Sequence, residues 1–328
     1  MMLRQATAME SPRPSWSNIR GCAIGICGSI TGRAAKGRSP MALTTPFKEF
    51  RVRAALQGLA LAAAVVLLAS QPARAEEDVW PSLKGDLFGD REIQDGAGWV
   101  ALDAPYRAED AAIVPIGIRI GHPADADDNV KAVTLVIDQN PAPVAAVIRF
   151  DRPGVVTAIS TRVRVNAYSH VRAIAETVHG RLYMATKFVK ASGGCSAPAS
   201  KDREEAMANL GKMRLRQFSP ERGTAADASV RGLREAQLMI RHPNYSGLQM
   251  DQITRTYTPA YFVRDVDVRL GGARLFTVEG AISLSENPSF RFLFLAPDGD
   301  SLSARVEDTE GHVFSDSWRI ERVARSGS

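Results

Sequence analysis

Residues 155–177 read VVTAISTRVRVNAYSHVRAIAET, and the alternation inside them decides the fold. Arg162, Arg164 and Asn166 alternate with Val163 and Val165. Extended chain points successive side chains to opposite faces, so a period of two fits a half-solvated strand. Working outward, AAIVPIGIRI (111–120), VKAVTLVIDQ (130–139) and VAAVIRF (144–150) are further short runs rich in Val and Ile. Turn formers separate them: GHPADADDN (121–129), NPAP (140–143) and DRPG (151–154). Many short strands with Pro- and Gly-rich turns predict an all-β chain built as a β-sandwich.

The later part of the chain repeats the pattern. LREAQLMIRH (233–242) reads as a strand, and VRDVDVRLGGARLFTVEG (263–280) as a hairpin turning at Gly271-Gly272. SFRFLFLAPDGDSLSARVED (289–308) reads as a second hairpin with Asp298-Gly299 in its turn. Phe290, Phe292 and Phe294 share one face of it, and a stripe of aromatics at that spacing is core. Between the two β-rich parts, KDREEAMANLGKMRLR (201–216) predicts a helix. Asp202 and Glu205 fit a capping box, and Ala206, Leu210 and Met213 form a weak apolar face. FSPERGTAADAS (218–229) reads as an irregular linker.

The N-terminal part is set aside before any fold reasoning. Lys48, Arg51 and Arg53 form a basic region, Leu59 to Ala69 an apolar run, and Ala73-Arg74-Ala75 a small-x-small cleavage site. That layout predicts a secretory signal cleaved after Ala75, with an uncleaved anchor as the alternative. Met41 would begin a signal of ordinary length, so residues 1–40 read as a start assigned too early. The full chain of 328 residues carries a net charge of +5, but residues 1–75 hold 10 of the Lys and Arg and 2 of the Asp and Glu. The mature chain keeps 31 basic and 34 acidic residues, a net of −3. That balance gives no electrostatic footprint for nucleic acid. No membrane contact is expected once the signal is removed.

Cys22 and Cys27 leave with the signal region, so Cys195 is the one thiol of the mature chain. It stands in VKASGGCSAPASKD (189–202), among residues too small to build a core. Gly193 and Gly194 widen the backbone freedom just before it, and Ser192 and Ser196 flank it without bulk. Lys187, Lys190, Lys201 and Arg203 would favour the thiolate modestly. A thiol on a mobile, uncluttered arm suits a covalent carrier. A catalytic nucleophile instead needs a base and an oxyanion site in fixed geometry. Spacing alone leaves two readings open, a carrier arm and an incidental loop cysteine.

Other chemistry has little support. The five histidines stand at 122, 170, 179, 242 and 312, with no HxxxH, HxH or CxxC spacing, so neither a metal site nor a catalytic site is expected. His179 and His242 lie near strand ends, from which either could approach Cys195. DADD (125–128) reads as a solvated turn. No Walker A, GxSxG or GxGxxG fingerprint occurs, and no cofactor is expected.

RAEDAAIVPIGIRI (107–120), the Val-rich strands after it and FVKASGGCSAP (188–198) together resemble SoxY. RHPNYSG (241–247), PAYFV (259–263), SENPSFRFLF (285–294) and DTEGHVFSDSW (308–318) resemble SoxZ. One chain with both in that order is similar to the fused SoxYZ-like carriers associated with quinoprotein dehydrogenases, and WPSLKGDLFGDREI (80–93) fits that group. The resemblance implies two Ig-like β-sandwich domains, at 76–190 and 229–328, joined over 191–228 by a flexible Cys-bearing arm, a short helix and a linker. It implies Cys195 as the attachment point for a sulfur-type cargo, behind Gly193-Gly194. It further implies a periplasmic, non-enzymatic carrier. Its partners would be the enzymes that load and unload Cys195, with a PQQ-dependent dehydrogenase and cytochrome c as further candidates. SoxY ends at or just after its arm, whereas here Ser196-Ala197-Pro198 follow and the chain continues. The rival expectations are an Ig-like interaction module with Cys195 incidental, and a thiol redox protein with a histidine beside Cys195.

Overall fold

A computed structural model of the chain describes residues 78–121, 128–198, 203–218, 232–251, 254–297 and 299–321. The proposed signal, Asp202 and nearly all of the 218–229 linker lie outside them. Their first half runs α1 (Trp80–Phe88), β1 (Ile93–Asp95), β2 (Val100–Asp103), β3 (Val114–Ile120), β4 (Val130–Ile137), β5 (Val144–Phe150), β6 (Val156–Val163), β7 (Ser169–Thr177) and β8 (Leu182–Val189). The second half runs α2 (Arg203–Ala208), β9 (Met213–Phe218), β10 (Leu233–Ile240), β11 (Val263–Leu270), β12 (Ala273–Gly280), β13 (Ser289–Leu295), β14 (Ser301–Asp308) and β15 (Val313–Arg319).

The strands form two sheets, ordered β1-β8-β7-β4-β5-β12-β11-β14-β15 and β2-β3-β6-β13-β10-β9. Each half contributes strands to both sheets, so each half is a two-layer sandwich, as the alternation predicts. Val114, Ile116, Ile118 and Ile120 of β3 point inward while Pro115 and Arg119 point out. The Phe290, Phe292 and Phe294 stripe is fully buried, and Phe292 meets Phe276 edge-on with ring centroids 5.0 Å apart. An aromatic pair in that geometry adds about 1 kcal/mol to the gain from burying the rings.

The sheets run on from one half into the other. Phe276 of β12 pairs with Phe150 of β5, and Phe292 of β13 pairs with Ile159 of β6, both antiparallel. One apolar core extends from Val100 to Ile320 across the join. A small satellite core sits beneath α1, where Trp80, Leu83 and Phe88 pack on Val136, Ile174 and Leu182.

Several local expectations are corrected. Residues 289–308 form two strands but not a hairpin: β13 pairs with β10 and β6, whereas β14 pairs with β11 and β15 in the other sheet. The helix expected over 201–216 is described only from Arg203 to Ala208. Gly211, at φ +73, turns the chain where a Cβ would strike the Phe314 ring at 1.9 Å, and Met213–Phe218 then pairs with β10. Asp128 belongs to no solvated turn. It is buried, accepting from the His179 backbone N–H at 2.9 Å and from Arg181 Nε at 2.7 Å. Burial pushes its carboxyl up, but those hydrogen bonds and the Arg181 charge outweigh this and bring it to about 2.

Candidate functional site

Beyond β8 the chain leaves the sheet at Lys190 and runs through Ala191, Ser192, Gly193 and Gly194 to Cys195. In place of a projecting tether, this segment is docked. Gly193 N–H donates to the Asn166 carbonyl oxygen at 2.8 Å, and Gly194 N–H to that of Val165 at 3.1 Å. Val165 N–H in turn donates to the Ala111 carbonyl oxygen at 2.9 Å. The two glycines differ in what they supply. Gly193 sits at φ +77, in the left-handed region, with only the Ser196 hydroxyl, 3.9 Å away, near where a Cβ would stand. A Cβ on Gly194 would meet the Ala111 oxygen at 2.1 Å and the Val165 oxygen at 2.7 Å, so Gly194 is needed for close packing. Ser192 and Ser196 are exposed, and the Ser196 hydroxyl turns back to the Gly193 carbonyl at 3.2 Å.

The second half closes over the far side. Ser246, in the RHPNYSG stretch, donates its hydroxyl to the Cys195 carbonyl oxygen, and Gln249 Nε2 donates to the Ala197 carbonyl at 3.0 Å. The stretch is itself fixed. Asn244 N–H donates to His242 Nδ1 at 3.0 Å, Asn244 Oδ1 accepts from Val263 N–H at 3.0 Å, and Tyr261 N–H donates to the Tyr245 carbonyl at 3.0 Å. His242, Asn244, Tyr245 and Ser246 are all buried.

Cys195 is consequently 0% exposed. Burial pushes its thiol up to about 11, and the Arg164 guanidinium pulls the other way without prevailing. The flanking lysines therefore do not make this a ready thiolate. Lys190 instead lies over the Tyr106 ring at 4.8 Å. Arg164, expected on the solvated face of its strand, is 2% exposed. The second half covers it: Arg164 N–H donates to the Ser283 carbonyl at 2.7 Å, and Nη1 donates to that of Leu284. Asn140 braces the same corner, donating to the Arg164 carbonyl at 2.7 Å and accepting from Asn166 N–H at 2.8 Å.

Neither histidine expected near the thiol bonds to it. His179 pairs with Asp128 at 3.2 Å. His242 is tied to Asn244 and lies 3.6 Å from Asp308. Asp308 also accepts from the Tyr261 hydroxyl at 2.7 Å and lies 3.1 Å from His312 Nδ1. The geometry thus brings the Cys195 segment together with Ser246 and Gln249, which sequence reasoning did not single out, and buries Arg164, which it placed on a solvated face. RHPNYSG was legible only as a resemblance. Its Pro243, Asn244, Ser246 and Gly247, all turn formers, are the signal that could have marked it as a gripping loop.

Among the described residues, a two-layer β fold with one sequestered thiol defines a class, the thiol-bearing β-sandwich proteins. The chain matches the family model of sulfur oxidation protein SoxY over residues 84–195, ending at Cys195, and that of sulphur oxidation protein SoxZ over 222–319. Together they cover more than half of the chain, which belongs to the sulfur-oxidation SoxY and SoxZ families as a fused SoxYZ-like protein. None of the curated proteins matches it. Among solved structures it is similar to two variants of the superoxide reductase (neelaredoxin) from Ignicoccus hospitalis. Both are 17% identical, covering 33% and 36% of this chain and 87% and 90% of theirs, with TM-scores of 0.25 and 0.26.

Proposed function

We propose that this protein is a periplasmic carrier that holds an intermediate covalently on the sulfur of Cys195 and presents it to partner enzymes without catalysing a step itself. What supports this reading most is one observation: the SoxY match ends on Cys195, in a segment whose Cys195 and Ala197 carbonyls the SoxZ-like half grips through Ser246 and Gln249. The docked segment is a resting state. Among the described residues, hydrogen bonds from Gly193, Gly194, Ser246 and Gln249 hold it, each contributing about 1 kcal/mol net. Release returns backbone entropy to the segment, so opening is a local event and not an unfolding of the sandwich. Loading and unloading take place in the open form, where burial no longer suppresses the thiolate. The partners are the loading and unloading enzymes of a sulfur-oxidation system, with a quinoprotein dehydrogenase and cytochrome c as further candidates.

The complete burial of Cys195 favours a second reading, an interaction module whose cysteine is incidental. One experiment separates the two. Protein purified from its native host is weighed intact, and a Cys195→Ser strain is scored for growth on reduced sulfur compounds. The carrier reading expects a mass adduct on Cys195 and loss of growth. A bare thiol together with normal growth of the Cys195→Ser strain would leave the interaction module standing. A thiol redox protein would need a base at the sulfur, and among the described residues His179 pairs with Asp128 and His242 with Asn244.

A further inference from the structure

The outer face of the six-stranded sheet has no part in holding Cys195, and its composition is one-sided. Its strands hold six Arg, no Lys and two carboxylates, Asp103 and Glu235. Arg119 stands between Ile118 and Ile120, Arg162 beside Val163, Arg291 between Phe290 and Phe292, and Arg214 and Arg216 on either side of Leu215. Those neighbours pack into the core, so alternation turns all five arginines outward. Register carries them across the join between the halves. Gly117 pairs with Ser160, Ser160 with Arg291, Arg291 with Gln237 and Gln237 with Arg216. Five strands spaced about 4.8 Å apart make that row about 19 Å wide.

The two sheets handle charge differently. On the outer face of the nine-stranded sheet, Arg149 pairs with Glu279 at 2.6 Å, Arg269 with Asp267 at 3.1 Å and Arg305 with Glu307 at 3.0 Å. On the six-stranded sheet, Glu235 holds Arg291 at 2.5 Å, and Arg162 donates to the Asn287 carbonyl at 3.0 Å. Arg119, Arg214 and Arg216 are exposed and meet no carboxylate among the described residues. Arg216 and Arg291 lie over the Phe218 ring at 5.4 and 4.6 Å, a stacking that orients a guanidinium and leaves its edge to pair. Small residues, Gly117, Ser160 and Ser289, line a groove of about 600 Å³ that Arg162 and Arg291 also border.

We propose that this face is a docking surface for a protein partner with an acidic, projecting element, whose carboxylates complete Arg119, Arg214 and Arg216. Guanidinium groups suit such pairing because they meet carboxylates through two parallel hydrogen bonds. Unmatched arginines gathered on one sheet repel one another, and a predicted mature chain of net −3 does not supply them by composition alone. Charges spread over about 19 Å fit a protein surface and not one small anion. The groove receives a projecting element, which a flat bilayer does not offer. β6 carries Arg162 three residues before Val165, whose carbonyl holds Gly194, so a docked partner stands beside the Cys195 segment. The surface serves either reading of Cys195.

The test uses protein purified from its native host and a fluorescently labelled polyglutamate peptide, with binding read by anisotropy at low salt. The triple variant Arg119→Gln, Arg214→Gln, Arg216→Gln is compared with Arg149→Gln, Arg269→Gln, Arg305→Gln, which changes the net charge equally on the other sheet. All six side chains are exposed, so both variants should keep the wild-type urea midpoint. The first should weaken binding about tenfold and the second less than about threefold. The first should also flatten the fall of affinity with added salt. Equal weakening by the two variants, or an unchanged salt dependence in the first, overturns the proposal. Tighter binding to phosphatidylglycerol vesicles than to polyglutamate, lost in the first variant, overturns it in favour of a lipid surface.

A second measurement is made in the host. Benzoylphenylalanine in place of Arg216 should cross-link on illumination to a protein through a peptide rich in Asp and Glu, and in place of Arg305 it should not. No link at 216, or one to a peptide without carboxylates, overturns the proposal. Failure of the carrier reading leaves every one of these results unchanged, because none of them reads Cys195.

Discussion

Replacing Gly194 by alanine, with Gly193→Ala beside it, separates packing from chain freedom in the cysteine segment. At Gly194 the new Cβ would stand 2.1 Å from one backbone oxygen and 2.7 Å from another. Those oxygens belong to Ala111 and Val165, which are bonded to each other at 2.9 Å, so the frame cannot yield and the arm must lift. At Gly193 the nearest atom to a Cβ is Ser196 Oγ at 3.9 Å, so the penalty is conformational alone, about 1–2 kcal/mol for a side chain at φ +77. Lifting the arm exposes a thiol that burial holds near 11 and returns it towards the ordinary 9.0. At pH 8 the thiolate fraction rises from about one in a thousand to about one in ten. Alkylation by iodoacetamide, followed by intact mass, is expected to quicken about a hundredfold in Gly194→Ala and no more than about thirtyfold in Gly193→Ala. Two results would refute the reasoning. One is equal rates in the two variants. The other is wild-type alkylation as fast as in the urea-unfolded chain.

Ser246→Ala removes one hydrogen bond to the Cys195 carbonyl, worth about 1 kcal/mol, and should raise alkylation about fivefold with the urea midpoint nearly unchanged. The raised thiol makes arm docking pH-dependent. Its contribution is fully present below about 9 and is lost as pH rises through about 11, so amide exchange over 191–198 should quicken across that window beyond its intrinsic pH dependence. His242 works in the opposite direction. Burial lowers it from 6.5 to about 4, even though Asp308 pulls it up. Its stabilising contribution is present above 6.5 and lost as pH falls through 4, amounting to about 3 kcal/mol. His242→Asn, which keeps an acceptor and cannot titrate, should lose less stability in urea between pH 7 and pH 4 than the wild type. Identical losses would show that His242 is not the titrating group.

Much of the strand content was legible because alternation is a local property. Each β3 residue declares its face by its own polarity, and Gly271-Gly272 can turn a hairpin whatever lies around it. The pairing of 289–295 with 233–240 was not legible, because an Asp-Gly pair in the sequence reads as a turn wherever the following strand goes to pair. The strand at 213–218 was hidden by residues equally at home on a helix, although Leu210-Gly211 held a stop signal.

By itself, then, the sequence determined an all-β chain of two related halves, the solitary thiol of the predicted mature chain and the family resemblance. The tertiary structure decided that the halves share their sheets, that Arg164 lies inside and that Cys195 is docked. The physical reason is that burial belongs to no residue alone. Arg164 and Cys195 become buried only when the loop at 283–285 and the RHPNYSG stretch, remote in the chain, arrive to cover them.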